Sequence, residues 1–284
     1  MSEQKNVNFG KTRRVFKTQV NEIQCKSILT RSGLPESQYS INPYLGCQIG
    51  CIYCYAVFMK RWSHHNEPWG FFIDVKVNAP EVLRKEIKSS IPGVTLLSSV
   101  TDPYQPLERK YLLTRRILEI LLENDWPTAI LTKSSLVTRD QDLFMRFSNV
   151  NVGMTISGLR EEVRKIFEPL SSPYADRVNA LKQMHDNGIK TYVFIGPILP
   201  FFTDPVEVYR QVRGKVDDIM IETLNWKSTL QPSILDGYKA YSPDYYKKMI
   251  QTIQEKGITY TEWVNSQIDI IRQDADVRVK LFSH

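Results

Sequence analysis

Three of the chain's four cysteines stand in one short stretch, Asn42-Pro-Tyr-Leu-Gly-Cys47-Gln-Ile-Gly-Cys51-Ile-Tyr-Cys54-Tyr55-Ala56. The spacing is C-x3-C-x2-C. Four cysteines are too few to staple a chain of 284 residues, and clustered thiols in a reducing compartment mean metal or catalysis. Three thiolates on one loop can hold three irons of a 4Fe–4S cluster, leaving the fourth iron open to a small molecule. Zinc is the rival, but structural zinc sites close with four ligands. Cys25 upstream, or His64 or His65 downstream, would have to supply the fourth, and neither makes a recognised zinc spacing. His64 and His65 otherwise read as solvated loop residues, and Cys25 as a small packed one. Incidental core cysteines would leave Gly46 and Gly50 unexplained, so the iron–sulfur reading leads.

The elements that must position this loop are legible as alternating apolar runs and amphipathic segments. Strands are expected at Ile41 to Gly46, Val94 to Val100, Thr128 to Thr132, Val150 to Ser157, Tyr192 to Gly196 and Asp218 to Leu224. Helices are expected between them. One runs from Tyr111 to Asn124, and a short one from Asp140 to Phe147. Another is capped by Ser172 with Pro173 at its first position and ends at Asn187-Gly188. One more runs from Asp204 to Arg213, and a last long one opens at Ser242-Pro243 and closes at Gly257. The alternation predicts an α/β fold, a partial (β/α)6 TIM-like barrel with a parallel sheet of about six units. Residues 1–40 are expected to form an irregular N-terminal arm, 41–240 the barrel, and 241–284 a C-terminal helix and extension. In such barrels chemistry gathers at the carboxyl ends of the strands. Polar residues recur there: the three cysteines, then Thr101-Asp102, Lys133, Ser157, Gly196-Pro197, and Glu222 with Asn225.

The cysteine spacing, with an aromatic before its last member, resembles the signature of the radical S-adenosylmethionine (radical SAM) superfamily. The wider wording is similar to its spore photoproduct lyase-like branch. This covers Asn42-Pro43-Tyr44, Gly46, Tyr53-Cys54-Tyr55-Ala56, the upstream Cys25-Lys-Ser-Ile-Leu-Thr and Thr101-Asp-Pro-Tyr-Gln-Pro-Leu-Glu108. Leu131-Thr-Lys133-Ser134 and Glu168-Pro169 followed by Ser172-Pro173 match as well. The likeness runs from about Cys25 to about Asp204.

The resemblance implies a 4Fe–4S cluster on Cys47, Cys51 and Cys54, with S-adenosylmethionine chelating the open iron. It implies reductive cleavage to methionine and a 5′-deoxyadenosyl radical that takes a hydrogen atom from substrate. A reductant such as flavodoxin or ferredoxin would supply the electron. The resemblance places Tyr53 beside the adenine, Lys133 against the methionine carboxylate, Ser99 near the methionine amine and Ser157 on the ribose or carboxylate. Tyr53 and Tyr55 match lyase tyrosines that return hydrogen during turnover. The lyases also carry a cysteine in the strand before the segment matching Thr101-Asp102. Here that strand reads Val94-Thr-Leu-Leu-Ser-Ser-Val100, which argues against thymine-dimer repair.

The expected function is therefore a radical SAM enzyme (a lyase, or a transferase or oxidoreductase) acting on a nucleotide, sugar-nucleotide or natural-product intermediate. Asp102, Tyr104, Glu222 and Asn225 are the candidate substrate contacts, and Tyr44, Phe201, Phe202 and Trp226 add aromatic surface near strand ends. The alternatives are a photoproduct lyase-type repair enzyme and, from another class, a zinc-stabilised nucleic-acid-binding module. Charge and composition set the outer bounds. Lys plus Arg total 37 against 31 Asp plus Glu, a net +6 that suits an anionic substrate without favouring nucleic acid. No apolar run approaches the ~20 residues of a membrane span, and the N-terminus lacks a secretory apolar stretch, so a cytoplasmic protein is expected.

Overall fold

The structure is a computed structural model that describes residues 4–9, 12–226, 230–255 and 258–283. It divides into two compact units, Met1–Gly50 with Ala56–Val152, and Cys51–Tyr55 with Gly153–His284.

The first unit contains β1 (Gln4–Phe9), β2 (Thr12–Lys17), β3 (Gln19–Ile23), β4 (Leu29–Arg31), β5 (Tyr39–Ile41), β6 (Tyr44–Leu45) and β7 (Phe72–Lys76). There follow α1 (Ala79–Glu86), β8 (Thr95–Leu97), α2 (Glu108–Tyr111), α3 (Leu113–Glu123), β9 (Thr128–Thr132), α4 (Gln141–Phe144) and the start of β10 (Val150–Thr155). The second unit continues with α5 (Glu161–Phe167), α6 (Tyr174–Asp186), β11 (Thr191–Ile198), α7 (Pro205–Val212) and β12 (Asp218–Thr223). It ends with α8 (Gln231–Tyr241), α9 (Pro243–Gln254), α10 (Ile258–Asp274) and β13 (Arg278–Phe282).

The eight-stranded sheet has the order β13-β12-β11-β10-β9-β8-β5-β4. It is an α/β fold with a mostly parallel sheet. The pairs β5–β8, β8–β9, β11–β12 and β12–β13 are parallel, and β4 lies antiparallel on β5. β11 is buried along nearly its whole length, which is why it reads as an apolar run rather than an alternating one. In α3 the stripe Leu113, Ile117, Leu118, Ile120 and Leu121 is fully buried, each side chain contributing about 1.5–3 kcal/mol of transfer free energy. At α7 the Asp204 side chain accepts the Glu207 N–H at 3.0 Å with Pro205 in the first turn, as the sequence predicts.

Several elements differ from expectation. The N-terminal arm is not irregular: β1 and β2 pair antiparallel, β3 pairs parallel with β7, and β4 edges the large sheet. The side chains of β3 are mostly exposed, so no apolar alternation announces it. The expected strand from Ile41 to Gly46 is two strands. β5 ends at Ile41, and β6, beyond Pro43, pairs with β7 in a separate three-stranded sheet. Proline has no N–H to continue a ladder. The helix expected from Tyr111 to Asn124 is α3, which starts at Leu113 because Leu112, at φ +52, separates it from the short α2 ending at Tyr111. At α6 the cap position is Pro173, one residue later than expected, and Ser172 lies outside it. The helix opening at Ser242-Pro243 is followed by α10, and Gly257 lies outside the described residues. α5, α8 and β13 were not anticipated.

His65 is not a solvated loop residue. It is buried, its Nε2 lies 2.7 Å from Asp74 Oδ1, and its ring stacks on Phe72 at 4.5 Å. Among the described residues no helix is long and apolar enough to cross a membrane.

Candidate active site

The cysteine loop consists of two successive tight turns. The Gly50 N–H donates to the Cys47 carbonyl, and the Cys54 N–H to the Cys51 carbonyl, each at 3.2 Å. Gly46 and Gly50 hold φ of +91° and +63°. A Cβ on Gly46 would lie 2.3 Å from the Phe72 carbonyl oxygen, so only glycine fits there. Cys47 and Cys51 are buried, Cys54 is partly exposed, and none is in a disulfide.

Each half of the loop is tied down within its own unit. In the first, Thr101 Oγ1 donates to the Gly46 carbonyl at 2.6 Å. The Gln48 N–H donates to Gln105 Oε1 at 2.9 Å, and the Leu107 N–H to Gln48 Oε1 at 2.8 Å. The Thr101-Asp-Pro-Tyr-Gln-Pro segment is thus a clasp on the residues around Cys47. In the second, the Ile52 N–H donates to the Phe167 carbonyl at 3.0 Å. Ile52 Cδ1 sits 2.4 Å from where a Cβ on Gly237 would be, so the side chain of Ile52 packs directly on α8. The Tyr53 hydroxyl donates to Glu168 Oε1.

The strand-end residues sort into two kinds. Asp102 and Tyr104 are buried and bonded inward. Asp102 accepts from Thr132 Oγ1 at 2.6 Å and from the N–H groups of Lys133 and Tyr104, each at 2.8 Å. Burial raises the Asp102 pKa and these bonds counter the rise. The Tyr104 hydroxyl donates to Asp140 Oδ2 at 3.0 Å, and burial followed by Asp140 pushes its pKa well up. Ser157 is also buried. Its Oγ donates to Glu168 Oε1 at 2.7 Å and lies 3.0 Å from the Tyr174 hydroxyl.

Lys133, Ser99, Glu222 and Asn225 are partly exposed. Asn42 Nδ2 donates to Ser99 Oγ at 3.2 Å. Tyr55 is 49% exposed. Desolvation of its hydroxyl raises the pKa, with Cys54 and Glu222 adding to it, so Tyr55 and Glu222 share one electrostatic neighbourhood.

Ser98, Gln48, Gln105 and Glu168 were not singled out from sequence. Ser98, at the carboxyl end of β8, holds φ +68°, and its Oγ is buried without a hydrogen-bonding partner among the described residues. The sequence signal for Gln105 and Glu168 was their place inside matched segments. Nothing local marked Ser98 or Gln48.

The family model described as the radical SAM superfamily matches residues 41–212, more than half of the chain. The chain belongs to the radical SAM superfamily. An uncharacterized protein of Methanocaldococcus jannaschii is 34% identical over 264 residues, covering 93% of this chain and 97% of that protein. A radical SAM Nalpha-GlyT isomerase of Pseudomonas phage M6 is 26% identical over 163 residues, 56% of this chain and 33% of the isomerase. Among solved structures, a spore photoproduct lyase complexed with dinucleoside spore photoproduct superimposes with a TM-score of 0.64 at 16% identity. That match covers 93% of this chain and 82% of the lyase and establishes a shared fold.

Radical SAM membership implies a 4Fe–4S cluster and S-adenosylmethionine, and the residues present fit both. Three soft thiols on one glycine-shaped loop suit iron–sulfur ligation. The partnerless Ser98 Oγ is a buried polar group of the kind a bound ligand satisfies.

Proposed function

We propose that this radical SAM enzyme holds its cluster on Cys47, Cys51 and Cys54 and acts on a nucleotide, sugar-nucleotide or related natural-product intermediate. The observation that carries the reading is the cysteine loop itself: two consecutive turns, a glycine no other residue can replace, and a side-chain clasp from Gln105. When bound, the cluster and S-adenosylmethionine supply one-electron cleavage of a carbon–sulfur bond and a nucleoside radical that removes a substrate hydrogen atom.

The chain's residues then bind, orient and exclude water. Lys133 pairs its ammonium with the methionine carboxylate, and Asp102 holds the Lys133 backbone in place for that task. Ser99, with its neighbour Ser98, offers hydroxyls to the methionine amine. Tyr53 lies beside the adenine, and Ser157 orients the ribose or carboxylate end. Tyr55, half exposed and next to Glu222, faces the substrate and suits hydrogen return; Glu222 and Asn225 orient a substrate hydroxyl. Asp102 and Tyr104 serve as scaffold rather than as direct substrate contacts, because their polar atoms are bonded inward. A one-electron reductant such as a flavodoxin or ferredoxin completes the system.

The nucleotide-like class is supported by the dinucleoside bound by the lyase of shared fold and by the net charge of +6. Dimer repair is the weaker reading, since β8 and its flanks carry no cysteine.

The test is anaerobic reconstitution with iron and sulfide, then S-adenosylmethionine and dithionite, with 5′-deoxyadenosine quantified by mass spectrometry. Product from the native chain and none from the Cys47→Ala, Cys51→Ala, Cys54→Ala triple variant is expected. Failure of the native chain to take up iron would defeat the reading. Splitting of ultraviolet photoproducts in oligonucleotides would replace it with the repair enzyme.

A further inference from the structure

The Tyr53 hydroxyl and the Ser157 hydroxyl both donate to the same oxygen, Oε1 of Glu168. One donor comes from the cysteine loop, directly before Cys54; the other stands just past the carboxyl end of β10. These are the two residues of the second unit expected to meet S-adenosylmethionine. The other oxygen of Glu168, Oε2, accepts from Arg177 Nη2 of α6 at 2.5 Å and from Ser171 Oγ at 3.3 Å. Arg177 is anchored in turn by the carbonyls of Thr155 at 3.0 Å and Ser172 at 2.8 Å. Glu168 and Arg177 are wholly inaccessible to solvent.

A carboxylate closed off from solvent, with a guanidinium on one oxygen, has its orientation set by that pairing. Its second oxygen is then a fixed acceptor for the two hydroxyls, and it decides where the Tyr53 ring and the Ser157 Oγ point. A buried ion pair is weak evidence for stability, because desolvating both charges offsets their attraction; its use must be sought in the geometry it enforces.

We propose that Glu168 is a positioning residue for S-adenosylmethionine: held by Arg177, it aligns Tyr53 and Ser157 as one surface against the nucleoside part of the molecule. The inference rests on the proposed function and deepens it. Glu168 does not touch the ligand; it acts through the two hydroxyls.

The experiment compares cluster-loaded native chain with Tyr53→Phe, Ser157→Ala, Glu168→Gln and the Tyr53→Phe/Glu168→Gln double variant. Three quantities are read: iron per chain, the dissociation constant of S-adenosylmethionine by equilibrium dialysis, and the change that S-adenosylmethionine produces in the electron paramagnetic resonance spectrum of the reduced cluster. Glu168→Gln is expected to load iron as the native chain does, to bind S-adenosylmethionine at least tenfold more weakly and to show a diminished spectral change. The double variant is expected to bind no more weakly than Glu168→Gln alone, because the carboxylate acts through the tyrosine. Native-like affinity, within twofold, and an unchanged spectrum in both Glu168→Gln and Tyr53→Phe would overturn the proposal. So would a double variant whose loss is the product of the single losses. Should Glu168→Gln not fold, Tyr53→Phe and Ser157→Ala each remove one hydroxyl, and native-like binding by both is the overturning result. A native chain that loads iron yet fails to bind S-adenosylmethionine would defeat the proposed function itself, an outcome distinct from variants that bind as well as native.

Discussion

The side-chain oxygen of Gln105 accepts the backbone N–H of Gln48 at 2.9 Å, one residue past the first cysteine of the loop. Gln105 is fully buried, and its Nε2 donates to Thr101 Oγ1 at 3.1 Å, the hydroxyl that holds the Gly46 carbonyl. The cysteine loop is therefore shaped by amide and hydroxyl groups more than fifty residues away in sequence, before any metal is considered.

Gln105→Ala strands the Gln48 N–H in a buried place. An unmet buried donor costs about 1–3 kcal/mol, so the variant should unfold at lower denaturant by that amount. It should also take up less iron on reconstitution. Urea unfolding and an iron assay on the same preparation check both, and native-like values for the two together would show that the clasp neither stabilises nor shapes the loop.

Gly46 and Gly188 make a matched pair. Both hold positive φ, +91° and +74°, but a Cβ at 46 meets the Phe72 carbonyl whereas none of the described atoms lies within 4 Å of one at 188. Gly188→Ala should cost only the left-handed backbone penalty, about 1–2 kcal/mol. Gly46→Ala adds a backbone clash and should cost more, with loss of iron binding. Thermal melts of the two variants decide it, and equal losses would contradict the geometry.

Glu161 replaces the side-chain cap that α6 lacks. Its Oε1 accepts the Tyr174 N–H at 2.7 Å, and Oε2 pairs with Arg164 Nε at 2.6 Å. Burial raises its pKa, but the Arg164 and Tyr174 hydrogen bonds outweigh that and hold it below the ordinary 4.5. The folded pKa is thus depressed, so the stabilisation is present above about pH 4.5 and is lost as pH falls through the folded value. Because the side chain is partly solvated, Glu161→Gln should cost no more than about 1 kcal/mol at pH 7. The difference should vanish in acid, and unfolding curves at pH 7 and pH 3 measure it. A gap that persists unchanged at pH 3 would rule out the ionised carboxylate as its source.

The Arg177 guanidinium lies 2.5 Å from the buried Glu168 carboxylate. Arg177→Ala leaves that charge uncompensated and should cost about 3–5 kcal/mol. An Arg177→Met, Glu168→Gln double change removes both charges and should recover much of the loss. Calorimetric melting of the single and double variants tests it; a double variant less stable than Arg177→Ala would mean that packing, not charge, dominates.

The chemistry of the site was legible early because it is local. Thiol spacing and the positive-φ glycines of a tight loop are properties of a dozen consecutive residues, and so is the apolar run of a buried strand such as β11. Five strands of the large sheet, β8 to β12, could be placed from such runs, with β9 matching end for end. His65 could not be read this way. Its burial depends on Asp74 and Phe72, which the pairing of β3, β6 and β7 brings beneath it.

The sequence by itself determined the cysteine spacing that marks the superfamily, the mostly parallel α/β architecture and the strand ends at which Asp102, Lys133, Ser157 and Glu222 stand. Only the tertiary structure decided how deeply each of those side chains is buried. It turned Asp102 and Tyr104 inward, left Lys133 and Glu222 partly exposed, gave the N-terminal arm its partners and joined Tyr53 to Ser157 through Glu168. The reason is range. Periodicity records which face of an element is buried. The partner of a buried hydroxyl or carboxylate is set by long-range packing, and neither end of such a bond carries a local mark of the other.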